Sequence, residues 1–105
     1  MITAKVLKHN GDYRSFTCEG HAFYEDPGKD IVCAAVSVLV INTANSLESL
    51  TENEMRASDD GYIRWEFVKS PDDHGKLLMD SLMLGLKQIE SKYGNNYFRL
   101  IIEEV

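Results

Sequence analysis

Basic charge is scarce in this chain of 105 residues. Eleven Lys and Arg stand against 17 Asp and Glu, giving a formal net charge of −6 and a pI of about 4.9. Non-specific nucleic-acid binding is driven by neutralising phosphates, so no direct nucleic-acid binding is expected. Long apolar runs are lacking too. The longest, Ile31 to Ile41, is interrupted by Ser37 and falls short of the ~18–20 apolar residues of a membrane span. The first residues, Met1-Ile2-Thr3-Ala4-Lys5, have no basic stretch followed by an apolar one. No secretory signal is therefore expected, and the expected location is the cytoplasm. There the two cysteines, Cys18 and Cys33, should be reduced thiols and not a structural disulfide. The cysteines and the three histidines form no C-x-x-C or H-x-x-x-H spacing, so no metal is expected. G-x-S-x-G, Walker A and G-x-G-x-x-G patterns are all missing, and Gly11, Gly20 and Gly28 are too far apart to cradle a phosphate. No cofactor is implied.

A core is present. With 44% hydrophobic and 10% aromatic residues, the chain can bury one compact core, and residues 1–105 are expected to form a single domain. Ile2 to Lys8 alternates as a strand, with Ile2, Ala4 and Val6 on one face. Asn10-Gly11-Asp12 signals a turn, and Tyr13 to Glu19 reads as the returning strand, with Phe16 and Cys18 on one face and Tyr13 on the other. The segment after Asp30 is rich in β-branched residues, so a buried strand competes with a helix. Helical spacing continuing through Thr43, Leu47 and Leu50 favours a helix over about Ile31–Leu50, with Asp30 as its N-cap. Met55–Ser58 and Tyr62–Lys69 flank Asp59-Asp60-Gly61 as a second hairpin, with Ile63, Trp65 and Phe67 facing the core. Ser70-Pro71-Asp72-Asp73 is a linker ending in helix caps, and His74–Lys92 reads as a helix with Leu78, Leu82, Leu86, Ile89 and Tyr93 on one stripe and Gly94 as its C-terminal cap, followed by a strand over Tyr97–Glu103. The order β-β-α-β-β-α-β predicts an α+β domain with a mainly antiparallel sheet and two helices.

The chemistry concentrates in one block, Gly20-His21-Ala22 followed by Asp30-Ile31-Val32-Cys33-Ala34-Ala35-Val36-Ser37. A thiol becomes a good nucleophile near neutral pH when it has a base nearby and a positive local potential. His21, just past the second strand, is a candidate base. Cys33, in the first turn of the expected helix, would gain from the helix N-terminus. The intervening loop, Phe23 to Lys29, contains Phe23, Tyr24, Pro27 and Gly28 and is short enough to bring the two side chains together over a substrate. Other readings stand beside these. Cys33 alone would also suit an inert core position. Asp30 is first a cap and secondly a residue that could orient the imidazole. Ser37, one turn after Cys33, either hydrogen-bonds in the site or bonds back to the helix. Cys18 reads as core packing.

At these residues the sequence resembles the bacterial ribosomal-processing cysteine proteases called Prp, found in Firmicutes and related bacteria. The resemblance rests on Gly20-His21-Ala22 and on Gly28-x-Asp30-Ile31-Val32-Cys33-Ala34-Ala35-Val36-Ser37. It implies a His21–Cys33 catalytic dyad, supporting positions at Gly20, Asp30 and Ser37, a small homodimer, and no cofactor. The implied substrate is the N-terminal extension of a large-subunit ribosomal protein. An acidic surface suits such a basic partner. A non-enzymatic ribosome-associated binding module and a thiol redox sensor using Cys33, alone or with Cys18, are the alternatives. The second helix also carries apolar residues beyond its stripe (Leu77, Met79, Met83 and Leu84); some of them serve a broad core face, and the remainder makes this helix the expected dimer contact, with a sheet edge as the other option.

Overall fold

Strands and two helices alternate along the described residues. The computed structural model describes residues 1–20, 27–58 and 62–105. Strand β1 (Ile2–His9) and strand β2 (Asp12–Glu19) form an antiparallel hairpin. Asn10 and Gly11 connect them with φ of 51° and 82°, the paired positive values that a two-residue Asn-Gly turn requires. Leu7 pairs with Ser15 but Lys8 with Tyr13, so Arg14 is left over. This bulge corrects the strict alternation expected for β2: the extra residue resets the phase, and Tyr13 and Phe16 are both buried. Phe16 stacks on Trp65 at 4.6 Å between ring centroids, while the Tyr13 hydroxyl donates to Asp80 Oδ1 at 2.5 Å.

Helix α1 spans Pro27–Leu50, followed by β3 (Met55–Ser58), β4 (Ile63–Phe67), helix α2 (Asp73–Tyr93) and β5 (Phe98–Glu104). The sheet order is β3-β4-β2-β1-β5. Only β5 runs parallel to its neighbour, β1, and the other three pairings are antiparallel. The result is one mixed sheet in a single domain, in the element order expected.

Both helices contribute to one core with the sheet. Ile2, Ala4 and Val6 of β1, Trp65 and Phe67 of β4, Val32, Val36, Val40 and Leu47 of α1, and Met79, Leu82, Met83, Leu86 and Ile89 of α2 belong to the same buried cluster. Met79 and Met83 are thus core residues. They take the core side of the broad apolar surface expected for α2, and Leu77 and Leu84 remain exposed. The two helices meet at Gly85, where a Cβ would stand 2.8 Å from Leu39 Cδ1, the tip of a side chain that can turn aside.

Helix α2 is capped as its sequence suggests. Asp72 accepts from Gly75 N at 2.8 Å and from Asn53 Nδ2 at 2.9 Å, and its carboxyl is held below the usual range by those two bonds in that order. Gly94 ends the helix at φ 88°, with its N–H donating to Glu90 O.

Helix α1 differs from its expected start. It opens at Pro27 rather than near Ile31. Proline suits the first helical position because its fixed φ is helical and its missing N–H had no intrahelical partner to find. Over Ile31–Leu50, 20 residues, α1 reaches a mean hydropathy of 1.6, long and apolar enough to cross a bilayer. Counting consecutive apolar residues had understated this. In the fold the segment is a core helix, with Val32, Val36, Val40, Thr43 and Leu47 buried at helical spacing. Its other face leaves Ile31, Val38 and Ile41 exposed.

Candidate active site

The C-terminal end of β2 and the N-terminal half of α1 border a cavity of about 220 Å³. Cys18, Glu19 and Gly20 line it from β2 and the residue beyond, Cys33 and Ser37 from α1, and Tyr62 from the approach to β4. Ile2, Val36 and Val40 supply apolar wall. The space is therefore part greasy and part polar, with two thiols, a hydroxyl, a phenol and a carboxylate on its boundary.

Gly20 is sterically required where it stands. Its φ is 101°, and a Cβ there would lie 2.2 Å from Met1 O and 3.2 Å from Ile2 Cα. Those atoms are backbone and cannot swing aside. Glycine lets the chain leave β2 against the start of β1, directly before His21. His21, Phe23 and Tyr24 lie outside the described residues.

The position of α1 corrects three expectations. Pro27 and Gly28 are the first helical residues, not part of a loop. Asp30 lies inside the first turn and is not the N-cap. Cys33 falls in the second turn rather than the first. The N–H groups that lack an intrahelical partner belong to a helix's first four residues. Among the described residues these are the N–H groups of Gly28 and Lys29, since Pro27 has none and the Ncap carbonyl takes that of Asp30. The helix N-terminus at Pro27 thus lies more than one turn before Cys33, and its field falls off within the first turn.

Cys33 and Ser37 do share a face. Cys33 Sγ and Ser37 Oγ are 4.0 Å apart, at the outer limit of a sulfur hydrogen bond. Both cysteines are free and half-buried. Burial pushes the Cys18 thiol up to about 12, with Cys33 and Glu19 adding to the shift. Cys18, which the sequence reads as core packing or as the partner of Cys33 in a redox sensor, is one of the wall residues. Its neighbour Glu19 and the more distant Tyr62 were not singled out at all. Nothing local marks Tyr62: it reaches the site because Cys18 of β2 pairs with Ile63 of β4. Among the described residues, no group of three or more His, Cys, Asp or Glu side chains is arranged to hold a metal ion.

The family model for cysteine protease Prp matches residues 1–98. The chain belongs to the Prp family of cysteine proteases. It is similar to the ribosomal processing cysteine protease Prp of Bacillus subtilis (strain 168), with 32% identity over 104 residues, covering 91% of this chain and 93% of that one. The crystal structure of the essential ribosomal processing protease Prp from S. aureus with a covalently linked product peptide matches with a TM-score of 0.87 at 28% identity. A second S. aureus Prp crystal structure, with a substrate peptide, matches with a TM-score of 0.88 at 27% identity. In both cases the match covers 98% of this chain and 100% of the other. As a Prp-family member the chain is a peptide hydrolase of the cysteine class. Its five-stranded sheet and two helices are the Prp fold.

Proposed function

We propose that this chain is a ribosomal-processing endopeptidase that removes the N-terminal extension of a large-subunit ribosomal protein, using Cys33 as nucleophile and His21 as its base. The observation that carries the reading is that Cys33 borders a cavity together with Gly20, the residue next to His21. The thiolate of Cys33 attacks the scissile carbonyl and forms a tetrahedral adduct. The imidazolium of His21 protonates the leaving amine, and water then hydrolyses the thioester. Backbone N–H groups at the start of α1 are the candidate oxyanion donors. Phe23 and Tyr24 contact the peptide, while Asp30 and Ser37 support the dyad. The net charge of −6 favours encounter with a basic ribosomal protein in the cytoplasm.

The active unit in this reading is a homodimer. Ile31, Val38 and Ile41 of α1 present one apolar face that supports it, and Leu77 and Leu84 of α2 present a second.

The test is incubation with a large-subunit ribosomal protein carrying its N-terminal extension, read by mass spectrometry. Wild type should release the extension and Cys33→Ala should not. Cleavage that survives in Cys33→Ala would remove Cys33 from the mechanism.

A further inference from the structure

The chain has two cysteines, and both border the same cavity. Cys18 stands on β2, paired with Ala4 on one side and Ile63 on the other. Cys33 enters from α1, and both side chains pack against the one hydrophobic core. Only Cys33 has a part in the proteolytic reading. Cys18 is a second sulfur at the edge of the same space, left unused by it.

We propose that Cys18 is a resolving thiol for Cys33, so that peroxide oxidation ends in an intramolecular Cys18–Cys33 disulfide that reversibly blocks the site. In the first step the Cys33 thiolate attacks one oxygen of hydrogen peroxide. The O–O bond breaks, hydroxide leaves and takes up a proton to become water, and Cys33 becomes a sulfenic acid. In the second step the Cys18 sulfur attacks the sulfenic sulfur. The S–O bond breaks, and the departing hydroxide combines with the Cys18 proton as a second water. Two thiols are oxidised by two electrons in all, and one peroxide is reduced to two waters. A dithiol such as dithiothreitol reverses the bond by exchange.

Burial sets the order of events. Cys18 is held protonated across the physiological range by its raised pKa, so it does not compete for peroxide. Without a second thiol, a sulfenic acid at Cys33 goes on to sulfinic acid, which dithiols do not reverse. The disulfide does not depend on the proteolytic reading; the claim that it blocks catalysis does.

The test uses the full reduced chain exposed to hydrogen peroxide, quenched by alkylation and read by mass spectrometry. Trypsin cuts after Arg14, Lys29 and Arg56, which puts Cys18 in residues 15–29 and Cys33 in residues 30–56. The expected product has lost two hydrogens, takes up no alkylating agent, yields these two peptides linked, and returns to the starting mass with dithiothreitol. Under the same treatment, Cys18→Ala should gain oxygen at Cys33 irreversibly. Wild type with sulfinic acid at Cys33 and an alkylated Cys18 overturns the proposal, as does a disulfide joining two chains. The wild-type result stands even if Cys18→Ala folds poorly. Cleavage of the extended ribosomal protein, measured on the same reduced sample, separates the two readings. A disulfide without cleavage removes only the proteolytic function, and cleavage without a disulfide removes only the resolving role.

Discussion

Cys33 Sγ and Ser37 Oγ lie 4.0 Å apart on consecutive turns of α1. At that length the hydroxyl orients the sulfur weakly and does not act as a base. Ser37→Ala should therefore lower kcat/KM by less than about tenfold, the worth of one modest hydrogen bond. Cys33→Ser and His21→Ala should each abolish cleavage while leaving the circular dichroism spectrum unchanged. A Ser37→Ala enzyme as inactive as Cys33→Ser would make the hydroxyl a catalytic group.

Gly20 ties the site to the sheet edge. Because a Cβ there would overlap Met1 O, Gly20→Ala should destabilise the fold by about 1–3 kcal/mol. It should also reduce cleavage more than the stability loss explains, since His21 follows directly. Thermal unfolding and activity of the folded fraction separate the two effects. An unchanged melting temperature would show that the β1 terminus gives way freely.

Alkaline pH should weaken the protein. Cys18 is raised from its ordinary 9.0 to about 12, chiefly by burial. Tyr13 is also raised, by burial and by its hydrogen bond to Asp80. A group whose folded pKa is raised contributes stability that is full below its unfolded pKa and is lost as pH rises through the folded one. Denaturant midpoints should thus hold to about pH 9 and fall as pH climbs toward 12. The Cys18→Ala, Tyr13→Phe double variant should start less stable and show a flatter alkaline decline. An equal slope in wild type and double variant would place the sensitivity elsewhere.

The exposed Ile31, Val38 and Ile41 predict where two copies meet. Sedimentation equilibrium at micromolar concentration should give twice the 11.9 kDa chain mass for wild type. Val38→Asp should shift the protein toward monomer, because a charge buried there has no partner. A dimer that survives Val38→Asp places the interface elsewhere, with Leu77 and Leu84 of α2 the next surface to test.

Local chemistry determined much by itself. Asn10-Gly11 specified its turn because positive φ is cheap for those residues, Asp72 and Gly94 marked the ends of α2, and alternation in Ile63, Trp65 and Phe67 identified the buried face of β4. The Gly20-His21 and Asp30-x-x-Cys33 block carried the resemblance to the family because it sets an imidazole and a thiol within one short segment. Other features depended on contacts far apart in sequence. The bulge at Arg14 is a property of the β1–β2 pairing, and it alone brings Tyr13 onto the same buried layer as Phe16. Met79 and Met83 are core because of how α2 meets the rest of the fold, which periodicity on one helix does not report. Nor does the local pattern distinguish a helix starting at Asp30 from one starting at Pro27, since both residues favour helix starts. Cys18 and Tyr62 joined Cys33 only when β2, β4 and α1 packed together. Residue type and spacing act along the chain, whereas a cavity exists only where several segments stop short of filling the same space.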